Sequence, residues 1–509
     1  MMAFRYMECD RDQLFLLPPS MREWLGEDHL VWLILDVVEV LDTSGLHRVH
    51  ANDGPGRPAW DPDMMLALLV YAYCVGLRSS RRIEAACRSD VAFRVICANR
   101  VPDFRTVARF RAASGEVLVS LFVGVLVLCA KAGLVRVGRV ALDGTKMAAN
   151  ASLGANRSAA AIRAEVEQML AQAARADDSE DSRWGEGGGD ELPGPLARAG
   201  SRLARLRQAQ AQIDAEEAAE RAGAEAKAAR AAERAARGRK PAGRRPTRDA
   251  RARLARAEAD LAALQARMRA VRVGVCASGG LAVEVARAQA DVEAARLAVQ
   301  AAPPGRPRQA NVTDPDSRIV KTPGGGWVQG YNAQAMVDQN QIVLAFEVTQ
   351  DPNDVAQFQP LLAAAQHNLR SVGVVDPVGV VLADAGYWSE ANATSAGPAR
   401  LIATQKDWKQ RQAARLLGTT SGPPDPDASP LEAMEHRLRT PEGAHAYAHR
   451  SATIEPVFGH TKHNRGITRF MQRGLHAVRA EWSLICATAN LQKLHAHLPP
   501  GGLAALPPG

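Results

Sequence analysis

The chain has 509 residues, which is long enough for two or three domains with at least one substantial hydrophobic core. Its formal charge of +8 at pH 7 favours an anionic partner, and nucleic acid is the leading candidate. An arginine-rich composition without functional meaning is the alternative explanation of this charge. Seven cysteines without a Cys-x-x-Cys pair argue against a disulfide framework and against a zinc site.

The apolar segments argue against a membrane protein. Residues 1–11 carry charges where a secretion signal needs an apolar stretch. The longest apolar run, residues 117–130, is too short to cross a bilayer and predicts a buried helix instead. We therefore expect a soluble protein whose cysteine thiols are reduced.

The first 115 residues predict a helical region. Helices are predicted over residues 32–41, 62–76, 82–88 and 104–113. Asp61 and Pro62 supply a cap and a first-turn proline for the second of these. Short helices with tight joints, the last carrying Arg105, Arg109 and Arg111, resemble a helix-turn-helix DNA-binding unit. A solvated helix face would carry the same arginines, so this alternative stays open.

The middle of the chain predicts one strand and then a long helical insertion. Residues 135–142 alternate enough to form a strand with Asp143 at its end. From residue 159 to about 302 the composition changes to Ala, Arg, Glu and Gln, which have strong intrinsic helicity. We expect several long, charged helices, arranged as an antiparallel hairpin or a coiled arm. The arm could embrace DNA or join two copies, and a solvent-exposed spacer is an equally good interpretation.

Regular β patterns return in the last third of the chain. Strands are predicted over residues 327–337, 341–349, 378–383 and 399–404. The first two form a plausible hairpin, followed by a helix that residues 351–354 cap. Glu455 begins a C-terminal helical region. Three strands followed by helix–strand units predict a mixed α/β sheet.

Three carboxylates lie beside apolar residues, where an unpaired charge is costly. Asp143 and Asp384 each end a predicted strand, and Glu455 lies on a helix with an apolar side. If the two strands are parallel neighbours, both aspartates emerge at one sheet edge, where Glu455 can complete a site. Magnesium binds hard oxygen ligands, and two divalent ions roughly 4 Å apart can drive phosphodiester cleavage.

Each carboxylate also has a simpler explanation. Asp143 and Gly144 alone are typical of a turn, and Asp384 could cap the segment that follows it. Glu455 could be a first-turn glutamate stabilised by the helix dipole. The competing carboxylates, for which a local role in a turn or cap is sufficient, are Asp338, Asp351 and Asp354.

The chain resembles the DDE transposases of bacterial insertion sequences. The blocks that carry the resemblance are Leu142-Asp143-Gly144-Thr145-Lys146, Gly330-Tyr331-Asn332-Ala333-Gln334, Ala383-Asp384-Ala385-Gly386-Tyr387-Trp388, residues 447–462 and Arg473-Gly474. Tyr447, Arg450, Glu455 and Lys462 match the tyrosine-arginine-glutamate-lysine pattern of such enzymes, with one extra residue between the arginine and the glutamate. Residues 21–112 resemble the family's helical N-terminal domain.

The resemblance implies an α/β fold with a ribonuclease-H-like mixed sheet, a helical N-terminal domain and a long helical insertion between the first and second core strands. The expected domains are a DNA-binding domain (1–115), a linking helix with the first core strand (116–158), the helical insertion (159–320), the rest of the catalytic core (321–495) and a disordered tail (496–509).

The resemblance also implies the chemistry. The enzyme would cleave DNA at insertion-sequence ends and transfer the exposed 3′-hydroxyl into target DNA. Asp143 would bridge two Mg²⁺ or Mn²⁺ ions, with Asp384 and Glu455 each completing the shell of one ion. The residues expected to contact DNA are Tyr447, Arg450, Lys462, Arg105 and Arg109.

The implied partners are double-stranded DNA, both element ends and target, and a second copy of the chain, because two ends must be brought together. No membrane is expected, and the implied location is the bacterial cytoplasm, at the nucleoid. The alternative is a transposase-derived protein that binds DNA without cutting it, and the three acidic positions argue against that alternative.

Overall fold

The computed structural model describes residues 20–50, 59–184, 202–236, 250–271, 279–301, 308–322, 325–406, 409, 412, 416–499 and 502–506. Within these residues it has sixteen α-helices and eight strands. The chain divides into two compact units: Met1–Leu153 together with Asp316–Gly509, and Gly154–Pro315.

Seven helices precede the first strand. They are α1 (Leu30–Val40), α2 (Ser44–His50), α3 (Pro62–Cys74), α4 (Ser80–Ser89), α5 (Val91–Ile96), α6 (Phe104–Ala113) and α7 (Gly115–Lys131). Side-chain caps fix two of the predicted starts, because Asp61 accepts the N–H of Asp63 and Asp103 accepts the N–H of Arg105. The four helices predicted in this region are confirmed.

The eight strands form two sheets. In chain order the strands are β1 (Arg139–Ala148), β2 (Asn156–Ser158), β3 (Gln309–Asn311), β4 (Arg318–Lys321), β5 (Trp327–Asp338), β6 (Val343–Thr349), β7 (Val380–Ala383) and β8 (Ala399–Ile402). The larger sheet has the order β4-β5-β1-β7-β8, and β6 also pairs with β5. Because β1 is antiparallel to β5 and parallel to β7, the predicted mixed α/β sheet is confirmed.

Two parts of this sheet differ from the sequence prediction. Strand β1 does not end at Asp143 but continues to Ala148, pairing with β5 as far as Gly330, so Asp143 and Gly144 do not form a turn. Strand β4 pairs with β5, although the insertion was expected to reach residue 320. Both segments are only partly buried, so neither shows the apolar alternation that predicts a strand.

In its described part, the unit Gly154–Pro315 contains four helices and the smaller sheet. The helices are α8 (Ala159–Trp184), α9 (Arg202–Ala236), α10 (Ala250–Val271) and α11 (Gly279–Ala301). The predicted long helices are confirmed. Strands β2 and β3, which the sequence did not predict, pair antiparallel with Ser158 opposite Gln309. A small apolar cluster of this unit includes Ile162, Leu206 and Ile213.

The described part of the other unit has five further helices: α12 (Phe358–Ser371), α13 (Glu390–Thr394), α14 (Pro430–Arg439), α15 (Pro441–Gly459) and α16 (Leu475–His497). Helix α16 packs against α3, α7 and β6, so the N-terminal helices and the sheet share one hydrophobic core. Trp482 of α16 is buried in this core and donates from Nε1 to the carbonyl oxygen of Gln334 on β5 at 3.0 Å.

The C-terminal tail and the apolar helices complete the description. Residues 496–509 were expected to be disordered, but the described part of this segment includes a 3-10 helix, Gly502–Ala505, because Leu498 and Leu503 pack against the core. Among the described helices, none alone is long and apolar enough to cross a membrane. The pair α6 and α7, bent by 74°, meets those criteria of length and composition only when taken together.

Candidate active site

The parallel pairing of β1 with β7 brings two of the three predicted carboxylates together. Leu142 pairs with Ala383. Asp143 and Asp384 therefore occupy the next positions on the two neighbouring segments. The prediction that the two strands are parallel neighbours is confirmed. The two carboxylates are close enough for the charge of Asp384 to raise the pKa of Asp143.

The pKa of Asp143 is raised from 3.8 to about 7. Burial is the largest cause, because it removes solvation from the charged form, and the charge of Asp384 is the second. Arg450 and a hydrogen bond from the Gly144 N–H to Asp143 Oδ1, at 2.7 Å, act in the opposite direction. A buried carboxylate that repels its neighbour and is only partly compensated is typical of a functional site.

Arg450 links Asp143 to the third predicted carboxylate. Its Nη1 donates to Asp143 Oδ2 at 3.2 Å, and its Nη2 lies 3.9 Å from Glu455 Oε1. Only 6% of the Arg450 side chain is exposed, against 63% for Glu455. Arg450 is therefore a buried partner of the acidic residues, whereas the sequence suggested a contact with DNA phosphate. Glu455 lies at the exposed rim of the cluster.

Glu455 lies close to the end of α15, not at the start of a helix as the sequence predicted. The proline that follows it suggested a first turn. Inside the helix Pro456 has no N–H to donate to the carbonyl of Ala452, and Gln341 Nε2 donates to that carbonyl instead, at 3.0 Å. Ile454 anchors the helix because it is fully buried. The helix-dipole explanation of Glu455 is therefore wrong.

Local explanations hold for three other carboxylates. Asp384 accepts the N–H of Gly386 at 2.9 Å and so caps a 3-10 helix, Ala385–Tyr387. This cap is compatible with a further role for the same carboxylate. Asp338 accepts three backbone N–H groups. Asp351 accepts a hydrogen bond from Gln357. The local roles predicted for Asp338 and Asp351 are confirmed.

Asp354 is the carboxylate that the sequence reasoning assigned wrongly. It stands at the cap position of a 3-10 helix, but its side chain does not cap that helix. Its Oδ1 accepts hydrogen bonds from Asn332 Nδ2 at 2.6 Å and Gln334 Nε2 at 2.8 Å, and it forms an ion pair with Lys146 Nζ at 3.3 Å. Its charge contributes to the raised pKa of Asp143. Asn332 and Gln334 occupy alternate positions on β5. This pattern of amides is the feature of the sequence that could have predicted a polar partner such as Asp354.

Two glycines keep space open between these carboxylates. A Cβ on Gly144 would overlap Gln334 Nε2 and lie 2.8 Å from Asp354 Oδ1. A Cβ on Gly386 would lie 3.0 Å from Asp384 Oδ1 and 3.2 Å from Asp354 Oδ2. Oxygen atoms of Asp384 and Asp354 thus flank the point that a Cβ on Gly386 would occupy. The neighbouring carboxylates of Asp143 and Asp384 are oxygen donors of the kind that fit a hard divalent cation.

The other residues of the C-terminal motif surround this cluster. Lys462 lies in a π-helix, His460–Asn464, and donates from Nζ to the carbonyl oxygen of Lys146 on β1 at 3.0 Å. Burial lowers the pKa of Lys462. Tyr447 is half-buried, with its ring centroid 6.0 Å from the guanidinium carbon of Arg450. The structure therefore places Arg450 and Lys462 in contact with β1, and Tyr447 and Glu455 beside Arg450.

The arginines of α6 separate into two groups. Arg105 and Arg109 are exposed. Arg111 instead donates to the carbonyl oxygen of Arg78 at 2.7 Å and to Ser80 Oγ at 3.3 Å, which ties α6 to the start of α4. Of the three arginines, Arg105 and Arg109 are therefore the ones available to an external partner.

A separate group of potential metal ligands lies in the N-terminal helices. Within the part of the chain that the structure describes, the group of three whose ligand atoms all lie within 4.8 Å of one another is His47, Asp61 and Asp63. Asp61 caps α3 by accepting the N–H of Asp63, and His47 Nε2 lies 3.1 Å from Asp63 Oδ2. These local contacts explain the group without a metal.

Two family models match the chain. Residues 19–113 match the family described as "Transposase domain (DUF772)", and residues 425–495 match the family described as "Transposase DDE domain". These two matches support a DDE transposase of insertion sequences. No curated protein and no solved structure gives a significant match to this transposase.

The two matched segments contain part of the candidate residues, whereas Asp143 and Asp384 lie outside both segments. The N-terminal match contains Arg105 and Arg109, and the C-terminal match contains Arg450, Glu455 and Lys462. DDE transposases act on DNA and generally use divalent metal ions. Divalent ions such as Mg²⁺ bind oxygen ligands, and carboxylates are among those ligands.

Proposed function

We propose that this transposase cuts DNA at the ends of its insertion sequence and joins the exposed 3′-hydroxyl to target DNA. The observation that carries the proposal is the register of β1 and β7, which makes Asp143 and Asp384 neighbours. Arg450 adds the third carboxylate by lying between Asp143 and Glu455. In this proposal, three carboxylates from separate elements hold the divalent cations that phosphodiester chemistry would need, with Asp143 and Asp384 as neighbours and Glu455 at the exposed rim.

Asp143, Asp384 and Glu455 would hold the cations, which we assign as two Mg²⁺ or Mn²⁺ ions. Bound divalent cations act as Lewis acids toward phosphate oxygens and lower the pKa of water. Glu455 is 63% exposed, so its side chain has room to change rotamer toward Asp143. Arg450 holds Asp143 in place and compensates part of the acidic charge, so we assign it a role through Asp143.

The fold assignment belongs to the same proposal. A central strand that is antiparallel to one neighbour and parallel to the other, with its acidic residue beside the end of the parallel neighbour, resembles a ribonuclease-H-like core. In this assignment residues 1–115 bind DNA, residues 116–158 and 321–495 form the catalytic core, and residues 159–320 are an inserted arm.

DNA contact is assigned to the exposed cations and to the motif side chains. Arg105 and Arg109 lie exposed on α6 and would contact the phosphate backbone of the element end. Lys462 and Tyr447 lie beside the acidic cluster and would contact DNA near the cut. Two ends must be cut together, so we assign a homodimer to the DNA complex, acting at the bacterial nucleoid in the cytoplasm.

Cleavage of labelled DNA tests this function. The substrate is the inverted repeat that flanks the gene, incubated with Mg²⁺ and full-length protein. Wild type should cut it, whereas Asp143→Asn, Asp384→Asn and Glu455→Gln should bind it without cutting. Glu442→Gln, an exposed glutamate in the first turn of α15, is the matched control and should cut like wild type. Cutting that survives Asp143→Asn would refute the assigned site.

The alternative function gives a different result in the same experiment. A transposase-derived protein that binds DNA without cutting should retain salt-sensitive binding but show no Mg²⁺-dependent product with wild type. The neighbouring positions of Asp143 and Asp384, together with Glu455 linked to Asp143 through Arg450, argue for the active enzyme.

A further inference from the structure

A second network of polar side chains adjoins the candidate cation site. On β5, Gln334 is paired with Gly144 and Asn332 with Lys146 of β1. Asp354 Oδ1 accepts hydrogen bonds from both amides, at 2.6 and 2.8 Å, and pairs with Lys146 Nζ at 3.3 Å. One carboxylate oxygen therefore holds three donors from the two central strands.

The network continues to the segment that carries Asp384. Gln334 Oε1 accepts a hydrogen bond from the hydroxyl of Tyr387, which lies three residues beyond Asp384. Asn332, Gln334 and Tyr387 are fully buried. Both amide nitrogens, Gln334 Oε1 and the Tyr387 hydroxyl have partners, whereas Asn332 Oδ1 is buried without a hydrogen-bond partner among the described residues. Buried hydrogen bonds of this kind keep a defined geometry. The network thus fixes both segments that carry the neighbouring aspartates.

Charge is balanced inside this network. Lys146 and Asp354 are 17% and 23% exposed, so water screens their charges poorly. Lys146 is three residues from Asp143 on the same strand. Without Asp354, its ammonium would stand uncompensated near the carboxylates and would repel a bound cation.

We propose that Asp354 is a positioning residue of the cation site, and that its ion pair with Lys146 sets the affinity of Asp143 and Asp384 for divalent cations. The inference rests on the proposed function. Asp354 acts through Lys146 and the two amides, because its Oδ1 already holds three donors. Partners of this kind, one step removed from the ligands, typically change metal affinity 10- to 100-fold.

Titration of the full-length protein with MnCl₂, without DNA, tests the inference by the electron paramagnetic resonance signal of free Mn²⁺. Asp354→Asn should weaken Mn²⁺ binding about tenfold. Lys146→Met should tighten binding, because it leaves the charge of Asp354 in place. The double variant should return close to the wild-type affinity. Asp351→Asn, an exposed acidic residue on the same loop, is the matched control and should bind like wild type.

A merely structural role of Asp354 predicts that the double variant binds no better than Asp354→Asn, and this result would overturn the inference. Wild-type affinity in Asp354→Asn would also overturn it, as would complete loss that Lys146→Met cannot restore, because Asp354 would then be a ligand. If Asp354→Asn does not fold, the Mn²⁺ affinity of Lys146→Met alone tests the inference. An affinity equal to that of wild type would then reject it. Undiminished binding in Asp143→Asn would instead refute the proposed function.

Discussion

Arg450 donates from Nη1 to Asp143 Oδ2 at 3.2 Å, from a side chain that is only 6% exposed. The buried guanidinium of Arg450 cannot extend far into solvent. If it moved away from Asp143, that carboxylate would lose the positive charge that offsets the repulsion of Asp384. The C-terminal motif therefore contributes a buried counter-charge to the acidic cluster as well as a carboxylate.

Replacement of Arg450 by methionine should destabilise the fold. The loss leaves Asp143 without a charged hydrogen-bond donor, which typically costs about 2 kcal/mol. Urea unfolding of full-length protein measures this cost. In Arg450→Met with Asp143→Asn the unpaired charge is gone, so part of the stability should return. A single variant as stable as wild type would contradict the assigned role.

A methyl group at Gly144 should disturb the site directly. Its Cβ would overlap Gln334 Nε2, so the amide must leave its hydrogen bond to Asp354. We expect Gly144→Ala to lose about 1–3 kcal/mol of stability, as overpacked positions do, and to lose cutting. Thermal unfolding and the cleavage experiment measure the two effects.

Gly459→Ala is the control for that substitution. Gly459 ends α15, close to Glu455, and a Cβ there meets nothing within 4 Å. Alanine in a helix is roughly 0.5–1 kcal/mol better than glycine, so this variant should be as stable as wild type or slightly more stable. Equal losses from the two substitutions would show that the overlap at Gly144 has no special effect.

The stability of the protein should depend on the ionisation of Asp143. Its pKa is raised from 3.8 to about 7, so the folded protein holds this proton more tightly than the unfolded chain does. The stabilisation that this bound proton gives the folded protein is complete below about pH 4 and is lost as the pH rises through about 7. Wild type should therefore lose stability relative to Asp143→Asn between about pH 4 and about pH 7.

Urea unfolding of both proteins in EDTA measures this difference. Burial also raises the pKa of Asp338 to about 7, but Asp338 is present in both proteins, so its contribution cancels in the comparison. A difference that stays constant across the pH range would mean that Asp143 has an ordinary pKa in the folded protein.

Local signals in the sequence were sufficient for much of the fold. Asp61 and Asp103 are side-chain caps with partners two residues away, so short-range patterns predicted α3 and α6. The hairpin of β5 and β6 likewise follows from alternation and a turn. Asp143 and Asp384 were recognisable because apolar residues precede both.

Long-range contacts explain what the sequence did not predict. Asp354 receives donors from residues 20 or more positions away, so its neighbourhood in the chain suggests only a cap. Pro456 suggested a helix start, and only the distant Gln341 explains how α15 continues through it. Strand β4 depends on its partner β5 and has little apolar patterning of its own.

Glu481 should be the residue that most strongly joins the N-terminal helices to the rest of their unit. Its side chain is fully buried and accepts hydrogen bonds from Tyr73 at 3.1 Å, from Arg78 at 3.4 Å and from the N–H groups of Met471 and Gln472. Glu481→Gln leaves buried donors without a charged acceptor, so we expect a loss of about 3 kcal/mol in urea unfolding.

A surface ion pair on the same helix is the control. Arg479 lies 2.8 Å from Glu347, with 53% of the arginine side chain exposed. Arg479→Ala should cost less than about 1 kcal/mol, because water screens such a pair. Similar losses from Glu481→Gln and Arg479→Ala would contradict the importance of the buried pair.

The pairing of β2 with β3 brings the two ends of the unit Gly154–Pro315 side by side. When a segment is attached through adjacent strands, the entropic cost of closing it as a loop grows only slowly with the number of residues in the segment. Helices of this unit could therefore be lengthened, or the unit could be replaced by a reporter protein. In either case Leu142 and Ala383 should keep their register. This junction should therefore tolerate insertions, both during evolution and in engineered fusion proteins.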